Sequence, residues 1–445
     1  MNSRTLRLIV TTLTLAVTSG ILASVVGTSE SEKPNDSLPQ TLIIRGGTLF
    51  DGTGGEPAEN KVILIEDGRI SGIGEGCDIP DGAREIDATG YAILPGLIDL
   101  HVHFGAPSKE NSDMSFAEMM ADYMRQRPDV RKALHEAGVT TIRSVGDMKS
   151  SILDLKRQVA SGAMAGPRVY CAGPIFTAPG GHPAGTIYKG NPWLIADATR
   201  QVDDPEKARA EVQALARKNV DGIKAVYDGH RAPRLSLEVL EAIIDEAHKH
   251  DLWVAVHTHD LQELREAVKA GADSIEHGTY DESQLDAETV EMLKEENVAY
   301  VPTLAVFDTY AGPEATPRER MQNVKTAHEA GVLIGAGTDA QGPQMGFGSS
   351  LHREMELLVE AGLSPSEAIL AATRNAAVTL RVDNELGTIE KGQLADLILV
   401  KGKPWETISD IREVRVAIQD GKIVVDLREQ GGATSEEAAA VNSSS

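Results

Sequence analysis

Short apolar runs alternate with longer helical patterns through the middle of the chain. The apolar runs have the length and β-branched content of buried strands: LIDLHVHF, VTTIRSVGD, RVYCAG, DGIKAVYDG, LWVAVHTHD, SIEHG, VAYVPTL and VLIGAGTDA. Helical patterns separate most of them, as over residues 205–219 and 236–250, where Ser236 is the predicted N-cap. Repeated strand–helix units predict an α/β fold with a parallel sheet covered on both faces. So many units in succession favour a closed (β/α)8 TIM barrel over residues 96–384, and no strand is followed by the GxGxxG turn of a doubly wound sheet.

The segments on either side of this region have a different pattern. Residues 41–95 and 385–427 contain short β-branched runs bounded by Gly, Asp or Pro. Hairpin turns are predicted at Asp67-Gly68 and Asp420-Gly421. We expect both segments to form one small β-sheet module. The last residues, 428–445, are small and polar, and they are expected to be a disordered tail.

The N-terminus, residues 1–30, has the pattern of a targeting segment. Arg4 and Arg7 precede a mostly apolar run from Leu8 to Val26, and a polar stretch follows. This order predicts a secretory signal and export to the periplasm or the exterior. An uncleaved membrane anchor is the alternative, because the run approaches the length that spans a bilayer.

Charge and cysteine content narrow the classes of partner and site. The 67 acidic residues outnumber the 43 basic ones, for a formal charge of -24, which argues against a nucleic-acid partner. Cys77 and Cys171 form neither a disulfide framework nor a CxxC pair, so a metal site has to use histidines and carboxylates. A small-molecule or dipeptide partner is compatible with this composition, and homo-oligomer formation stays open.

Two histidines end the first strand of the middle region. His101 and His103 are two positions apart, so their side chains point to the same face of the strand. In a barrel that face is inward at the C-terminal end, where catalysis occurs, and two imidazoles there can chelate a metal. An ordinary pair of loop histidines is the alternative, since HxH alone is a weak signal.

Three further ligand-type residues occur at the ends of other strands. His257 ends WVAVH, His277 ends DSIEH and Asp339 ends LIGAGTD. Strand ends converge at one mouth of a barrel, and several His with one Asp can bind a divalent metal such as zinc. A hydrogen-bonded core histidine is a common alternative for one such residue, but a weak one for four histidines with an aspartate.

Lys224 is unusual because it lies within GIKAVY, a strand expected to be buried on both faces. A buried ammonium loses its charge or finds a partner. A neutral amine can take up carbon dioxide and form a carbamate that bridges two metals. A pair with a nearby carboxylate is an equally good interpretation.

Arg143 and Asp147 are expected to form a structural pair without a catalytic role.

The motifs PGLIDLHVH, GIKAVYDG, AVHTH, SIEHG and GTDA, in this order, resemble the amidohydrolase superfamily. Within it, the chain is similar to the imidazolonepropionase-related group that includes metal-dependent Xaa-Pro dipeptidases (prolidases). The resemblance runs from about Leu42 to Asp426. It implies a (β/α)8 TIM barrel with an accessory β-sandwich formed by the N- and C-terminal segments.

The resemblance also implies a binuclear centre, with two Zn²⁺ as the expected ions. The site residues that follow from it are His101, His103 and Asp339 for the more buried metal, His257 and His277 for the second, and carboxylated Lys224 as the bridge. Asp339 would also be the general base toward a metal-bridging hydroxide, and would pass the proton to the leaving nitrogen. His182, in PGGHP, would stabilise the developing oxyanion, and a solvated loop histidine is the alternative.

Two more residues are candidates for binding substrate. Tyr227 would hydrogen-bond a substrate carboxylate, as a tyrosine in this region does in similar dipeptidases, with core packing as the alternative. His259 faces the same way as His257 but lies further out, and is expected to support the site or face the substrate.

Three functions are compatible with these residues. The first is a metal-dependent hydrolase of an amide bond, of Xaa-Pro dipeptidase type. The second is a mononuclear hydrolase or deaminase of a cyclic amide or amidine, with Lys224 unmodified and His277 in acid/base chemistry. The third is a non-catalytic binding protein on the same scaffold. Lys224 on the fourth strand favours the first.

Overall fold

The computed structural model describes residues 41–74, 80, 82–104, 115–279, 284–311, 318–341 and 344–428. The predicted signal or anchor (1–30), Cys77 and all but the first residue of the predicted tail (428–445) lie outside these ranges. No helix within them combines the length and apolar character that crossing a bilayer requires.

Nineteen strands occur in the described ranges. They are β1 (Leu42–Arg45), β2 (Thr48–Leu49), β3 (Ala58–Glu59), β4 (Ile63–Glu66), β5 (Arg69–Ile73), β6 (Arg84–Asp87), β7 (Tyr91–Pro95), β8 (Leu97–Val102), β9 (Val139–Ser144), β10 (Arg168–Cys171), β11 (Ile175–Thr177), β12 (Thr199–Gln201), β13 (Gly222–Tyr227), β14 (Trp253–Thr258), β15 (Ser274–Glu276), β16 (Ala299–Val301), β17 (Leu397–Lys401), β18 (Val414–Gln419) and β19 (Lys422–Asp426).

Twelve α-helices accompany these strands, and a 3₁₀ helix covers Ile408–Arg412. They are α1 (Phe116–Glu136), α2 (Lys149–Ala160), α3 (Pro192–Ala198), α4 (Pro205–Ala216), α5 (Leu237–His248), α6 (Leu261–Lys269), α7 (Ala287–Glu295), α8 (Leu304–Ala311), α9 (Arg318–Glu329), α10 (Ser349–Glu360), α11 (Pro365–Ala371) and α12 (Arg374–Thr379). Helix α5 shows why they form. Ser236 accepts from the backbone N–H of Val239 as N-cap, as predicted, and the apolar residues recur on one buried face.

Two sheets lie at the ends of the chain. Their strand orders are β5-β4-β1-β6 and β19-β18-β17-β7-β2-β3. In the second, Leu397 of β17 lies opposite Pro95 of β7, so both termini contribute to one sheet. Ile44 and Ile63 of the first sheet share a hydrophobic core with Val416 of the second. That these sheets form a β-sandwich domain stays a prediction.

The middle of the chain forms parallel sheets. Their orders are β10-β9-β8 and β12-β11-β13-β14-β15-β16, with helices between successive strands. Parallel bridges from Val102 to Ala340 and from Tyr300 to Ile334 add two further segments. This architecture confirms the α/β class with parallel sheets. Within the described residues the strand ladders of this region form two separate sheets, so closure of the barrel stays a prediction.

The two faces of these strands have different environments. On β14, Val254 and Val256 belong to the main core with the helices, whereas Trp253 and Ala255 belong to a separate cluster. His257 continues the second face by alternation, and lines a cavity. Because side chains alternate along a strand, the polar side chains at the strand ends point to the side on which the cavity lies.

Candidate metal centre

His101, His103 and Asp339 come together as the sequence predicts. Their ligand atoms all lie within 4.8 Å of one another. Asp339 Oδ1 is 3.1 Å from His103 Nε2 and 3.6 Å from His101 Nε2. The backbone fixes this arrangement, because the N–H of Asp339 donates to the carbonyl of His101 at 2.7 Å.

These separations suit a common divalent ion. Two ligand atoms about 2.1 Å from one tetrahedral ion are about 3.4 Å apart. His101 Nε2 is buried and has no hydrogen-bond partner within the described ranges. A buried polar atom left in this state is costly unless a group outside the protein satisfies it. The donor set of two imidazoles and a carboxylate therefore fits zinc or a similar metal.

His257 and His277 extend this cluster. The rings of His101 and His277 are 4.8 Å apart between centroids, and those of His277 and His257 are 4.6 Å apart. His257 lies at the end of β14, and His277 directly follows β15. The four predicted histidine ligands thus form one continuous group of imidazoles.

Lys224 points into the same region from β13. Its side chain is 2% exposed, and Nζ makes no hydrogen bond to any described residue. Burial lowers the pKa of Lys224 to about 8, although Glu276 and Asp339 act in the opposite direction. The alternative interpretation, a pair with a nearby carboxylate, is therefore not supported by a hydrogen bond among the described residues. The lowered pKa increases the neutral fraction of the amine, which is the form that carbamate formation needs.

The Nδ1 atoms of three histidines have hydrogen-bond partners. Nδ1 of His101 lies 2.6 Å from Glu276 Oε2, that of His103 lies 2.7 Å from the carbonyl of Gly146, and that of His277 lies 2.7 Å from the Thr303 hydroxyl. Such contacts fix ring orientation and tautomer. Burial and Lys224 lower the pKa of His101 to about 4, so this imidazole is neutral at pH 7, the form that binds metals.

Glu276 and Arg143 are site residues that the sequence reading missed. Arg143 donates to Glu276 at 2.7 Å, not to Asp147, so the expected Arg143–Asp147 pair is wrong. Asp147 instead accepts from the backbone N–H of Phe104 at 2.9 Å. Burial alone would raise the pKa of Glu276, but Arg143 and His101 more than offset it and hold it well below its usual range.

Backbone conformation explains why Glu276 was missed. Strand alternation places neighbours on opposite faces, so a ligand at His277 predicts that Glu276 points away. His277 has φ of 69°, in the left-handed region. This backbone conformation allows the side chains of both Glu276 and His277 to face the metal site. Asp339 and Thr303 have similar values, 58° and 50°.

Asp228 is a third residue that was missed. Its carboxylate is 3% exposed, and Oδ2 lies 3.4 Å from His257 Nε2. The other oxygen accepts from the backbone N–H of His230 at 2.7 Å, which fixes its orientation. A period of two along β13, from Lys224 through Val226, could have identified it.

A cavity of about 290 Å³ opens above the cluster. His103, Lys224, His257, His277 and Asp339 line it, together with His182, Tyr188 and Arg231 and the apolar side chains of Ile175, Val306 and Phe307. The His182 ring is 5.6 Å from that of His257, and its Nδ1 lies 2.7 Å from the Thr186 hydroxyl. Burial and then His257 lower the pKa of His182 to about 3, so a neutral imidazole faces the cavity.

Tyr227 and His259 are not among the described residues that line the cavity. Alternation along β13 turns Tyr227 to the helix side, where its hydroxyl donates to Glu266 at 2.6 Å and its ring packs against Arg234. The predicted contact between Tyr227 and a substrate carboxylate does not fit this geometry. The His259 ring stacks on His230 at 4.1 Å, and does not reach the cavity wall.

Comparison with known proteins agrees with this geometry. Ochratoxinase from Aspergillus niger is 27% identical over 419 residues, covering 84% of each chain. Imidazolonepropionase from Brevibacillus brevis is 24% identical, covering 91% of this chain and 96% of its own. A solved structure of a Xaa-Pro dipeptidase with methionine in its active site is 31% identical, with a TM-score of 0.75, covering 86% of this chain and all of that one. The amidohydrolase family model matches residues 92–424. The protein is a hydrolase that acts on carbon–nitrogen bonds, and the chain belongs to the amidohydrolase family.

Proposed function

We propose that this protein is a binuclear metal-dependent hydrolase that cleaves the amide bond of a dipeptide or N-acyl amino acid, with Xaa-Pro dipeptides among its substrates. The observation that carries the proposal is the convergence of His101, His103 and Asp339 within 4.8 Å, with two more histidines and a buried lysine beside them. We further propose that the parallel strands close into a (β/α)8 barrel, that the flanking sheets form a β-sandwich, and that the N-terminal segment directs export.

The residues divide into two ligand sets. His101, His103 and Asp339 would hold the more buried ion, and His257 and His277 the second. Lys224, carboxylated on Nζ, would bridge them, and its buried, unbonded amine supports this role. Divalent ions at such a site supply nucleophilic water at neutral pH and polarise the scissile carbonyl.

Asp339 suits the role of proton carrier. A carboxylate has two oxygens, so one oxygen of Asp339 would hold the ion and the other would accept a proton from the attacking water. Asp339 would then donate this proton to the leaving nitrogen. One water is consumed, the C–N bond breaks, and a carboxylate and a protonated amine are released. His182, which lines the cavity, would donate a hydrogen bond to the oxyanion that develops on the carbonyl oxygen, a contribution of about 10²–10³ in rate.

Arg231 replaces Tyr227 as the candidate for binding the substrate carboxylate. It lies in the cavity wall, and a guanidinium matches a carboxylate in charge and geometry. Ile175, Val306 and Phe307 provide an apolar surface for the substrate side chain. The substrate class that fits best has an apolar residue and a free carboxylate.

One observation favours a second candidate function. The compact ligand group contains three residues, His101, His103 and Asp339, without His257 or His277. A mononuclear hydrolase or deaminase of a cyclic amide would need only this group. Lys224 would then remain unmodified.

Metal content and substrate preference separate these candidates. The purified protein is reconstituted with zinc, its metal-to-protein ratio is measured, and a panel of dipeptides and N-acyl amino acids is assayed with free and amidated carboxyl termini. Two ions per chain and a preference for the free acid, lost in Arg231→Met, would support the proposal. Full activity with one ion would refute the binuclear centre.

A further inference from the structure

A closed network of buried side chains lies against His101. Glu276 is at its centre: Oε2 contacts His101 Nδ1 at 2.6 Å, and Oε1 accepts from Ser274 Oγ at 2.6 Å and from Arg143 Nη2 at 2.7 Å. Arg143 is 1% exposed, and the other three side chains are completely buried. Of the four, only His101 belongs to the metal centre proposed above.

Arg143 fixes both the partner and the backbone of His101. Its Nε donates to the carbonyl of Leu100, the residue before His101, at 2.5 Å. Nη1 donates to Ser274 Oγ at 3.0 Å, and the guanidinium lies 5.2 Å from the centre of the Trp253 ring. The guanidinium therefore has little freedom, and neither has the carboxylate that it holds.

The strength of this acceptor distinguishes His101 from its neighbours. The Nδ1 atoms of His103 and His277 contact neutral groups, the carbonyl of Gly146 and the hydroxyl of Thr303. An ionised carboxylate is a stronger acceptor, and it raises the basicity of the imidazole that donates to it.

Stability alone does not account for the Arg143–Glu276 pair. The desolvation of two buried charges offsets most of their attraction, and apolar side chains of similar volume are often as stable or more so. The contact with a metal-ligand histidine gives this pair a role that an apolar replacement would not fulfil.

We propose that Glu276, held by Arg143, is a positioning residue that keeps His101 in the Nδ1–H tautomer and strengthens Nε2 as the ligand of the more buried ion. The inference rests on the proposed function, since it presumes that His101 binds a metal. It adds that the affinity and ligand field of one ion depend on a carboxylate that touches neither metal nor substrate.

The test compares Glu276→Gln with a matched control, Ser274→Ala. Both substitutions alter buried hydrogen bonds of the network, but Ser274 has no hydrogen bond to His101 among the described residues. Zinc affinity is measured by competition with a chelator, and the absorption spectrum is recorded at saturating Co²⁺, which reports the ligand field and not the stability. We expect Glu276→Gln to weaken one ion about 10–100-fold and to shift the Co²⁺ bands. Ser274→Ala should change the affinity by less than about 3-fold, because the carboxylate remains.

Glu276→Gln leaves the Arg143 guanidinium buried without its partner, which can prevent folding. The double variant Arg143→Met, Glu276→Gln removes both charges and should show the same loss of affinity. In the wild-type holoenzyme, ¹⁵N NMR of labelled histidines should show His101 protonated on Nδ1. A proton on Nε2 would refute the proposal. A folded Glu276→Gln variant with the zinc affinity and the Co²⁺ spectrum of the wild type would also refute it. A wild-type protein that binds no metal would instead refute the proposed function.

Discussion

Replacing Lys224 by methionine should stabilise the metal-free protein at neutral pH while abolishing its activity. Methionine keeps an unbranched side chain of similar length and removes the ammonium. Lys224 is 2% exposed, and its amine is buried without a hydrogen bond within the described ranges, so its charged form is poorly solvated in the fold. The substitution therefore removes the cost of burying an ammonium in the folded state and, at the same time, the residue proposed to bridge the two metal ions.

The size of the expected stabilisation follows from the lowered pKa of Lys224. Burial lowers the pKa of Lys224 from 10.5 to about 8. The difference of about 2.5 pKa units, at about 1.4 kcal/mol each, makes protonation of the folded protein at pH 7 cost about 3 kcal/mol relative to the unfolded chain. The folded pKa is the lower one, so Lys224 destabilises the fold below pH 8, and this effect disappears above pH 10.5, where both states are neutral.

Urea denaturation of chelator-treated protein tests this reasoning. We expect Lys224→Met to raise the free energy of unfolding by about 3 kcal/mol at pH 7 and by almost nothing at pH 10.5. Lys207→Met is the control, because the Lys207 side chain is 69% exposed, and it should change stability by less than about 0.5 kcal/mol. A destabilised Lys224→Met at pH 7, or an equal gain at both pH values, would refute the reasoning.

Three other substitutions test the site. Asp339→Asn should lower kcat by about 10²–10⁴-fold with an unchanged circular dichroism spectrum, and retained turnover would exclude Asp339 as the proton carrier. Asp228→Asn should weaken the second ion about 10-fold or more in a chelator titration, because the carboxylate lies 3.4 Å from His257 Nε2. Tyr227→Phe should leave KM unchanged and lower the free energy of unfolding by about 1 kcal/mol, because its hydroxyl bonds Glu266. A raised KM would instead support the substrate contact expected from sequence.

The sequence predicts the α/β class and the cluster of ligand-type residues because both depend on local pattern. His101, His257 and Asp339 are each an ionisable residue at the end of an apolar run, and parallel strands deliver such residues to one edge. The order of the motifs along the chain adds the resemblance to a known family. These signals need no knowledge of distant contacts.

Residues that act through other residues could not be predicted in this way. Arg143 meets Glu276 across 133 positions of sequence, and no local pattern pairs them. Tyr227 was misplaced for a different reason. It is three residues from Lys224, and an odd spacing on a strand puts the two on opposite faces.

The left-handed backbone at His277, Thr303 and Asp339 bears on attempts to copy this site. At non-glycine residues such conformations are unfavourable by about 1–3 kcal/mol each, and the surrounding structure has to maintain them. A designer who grafts only the ligand side chains onto another parallel-stranded scaffold would obtain regular strand ends, with His277 aimed away from its partners. The transferable unit is the strand end together with its turn, and directed evolution of this enzyme should retain those turns even where the cavity wall changes.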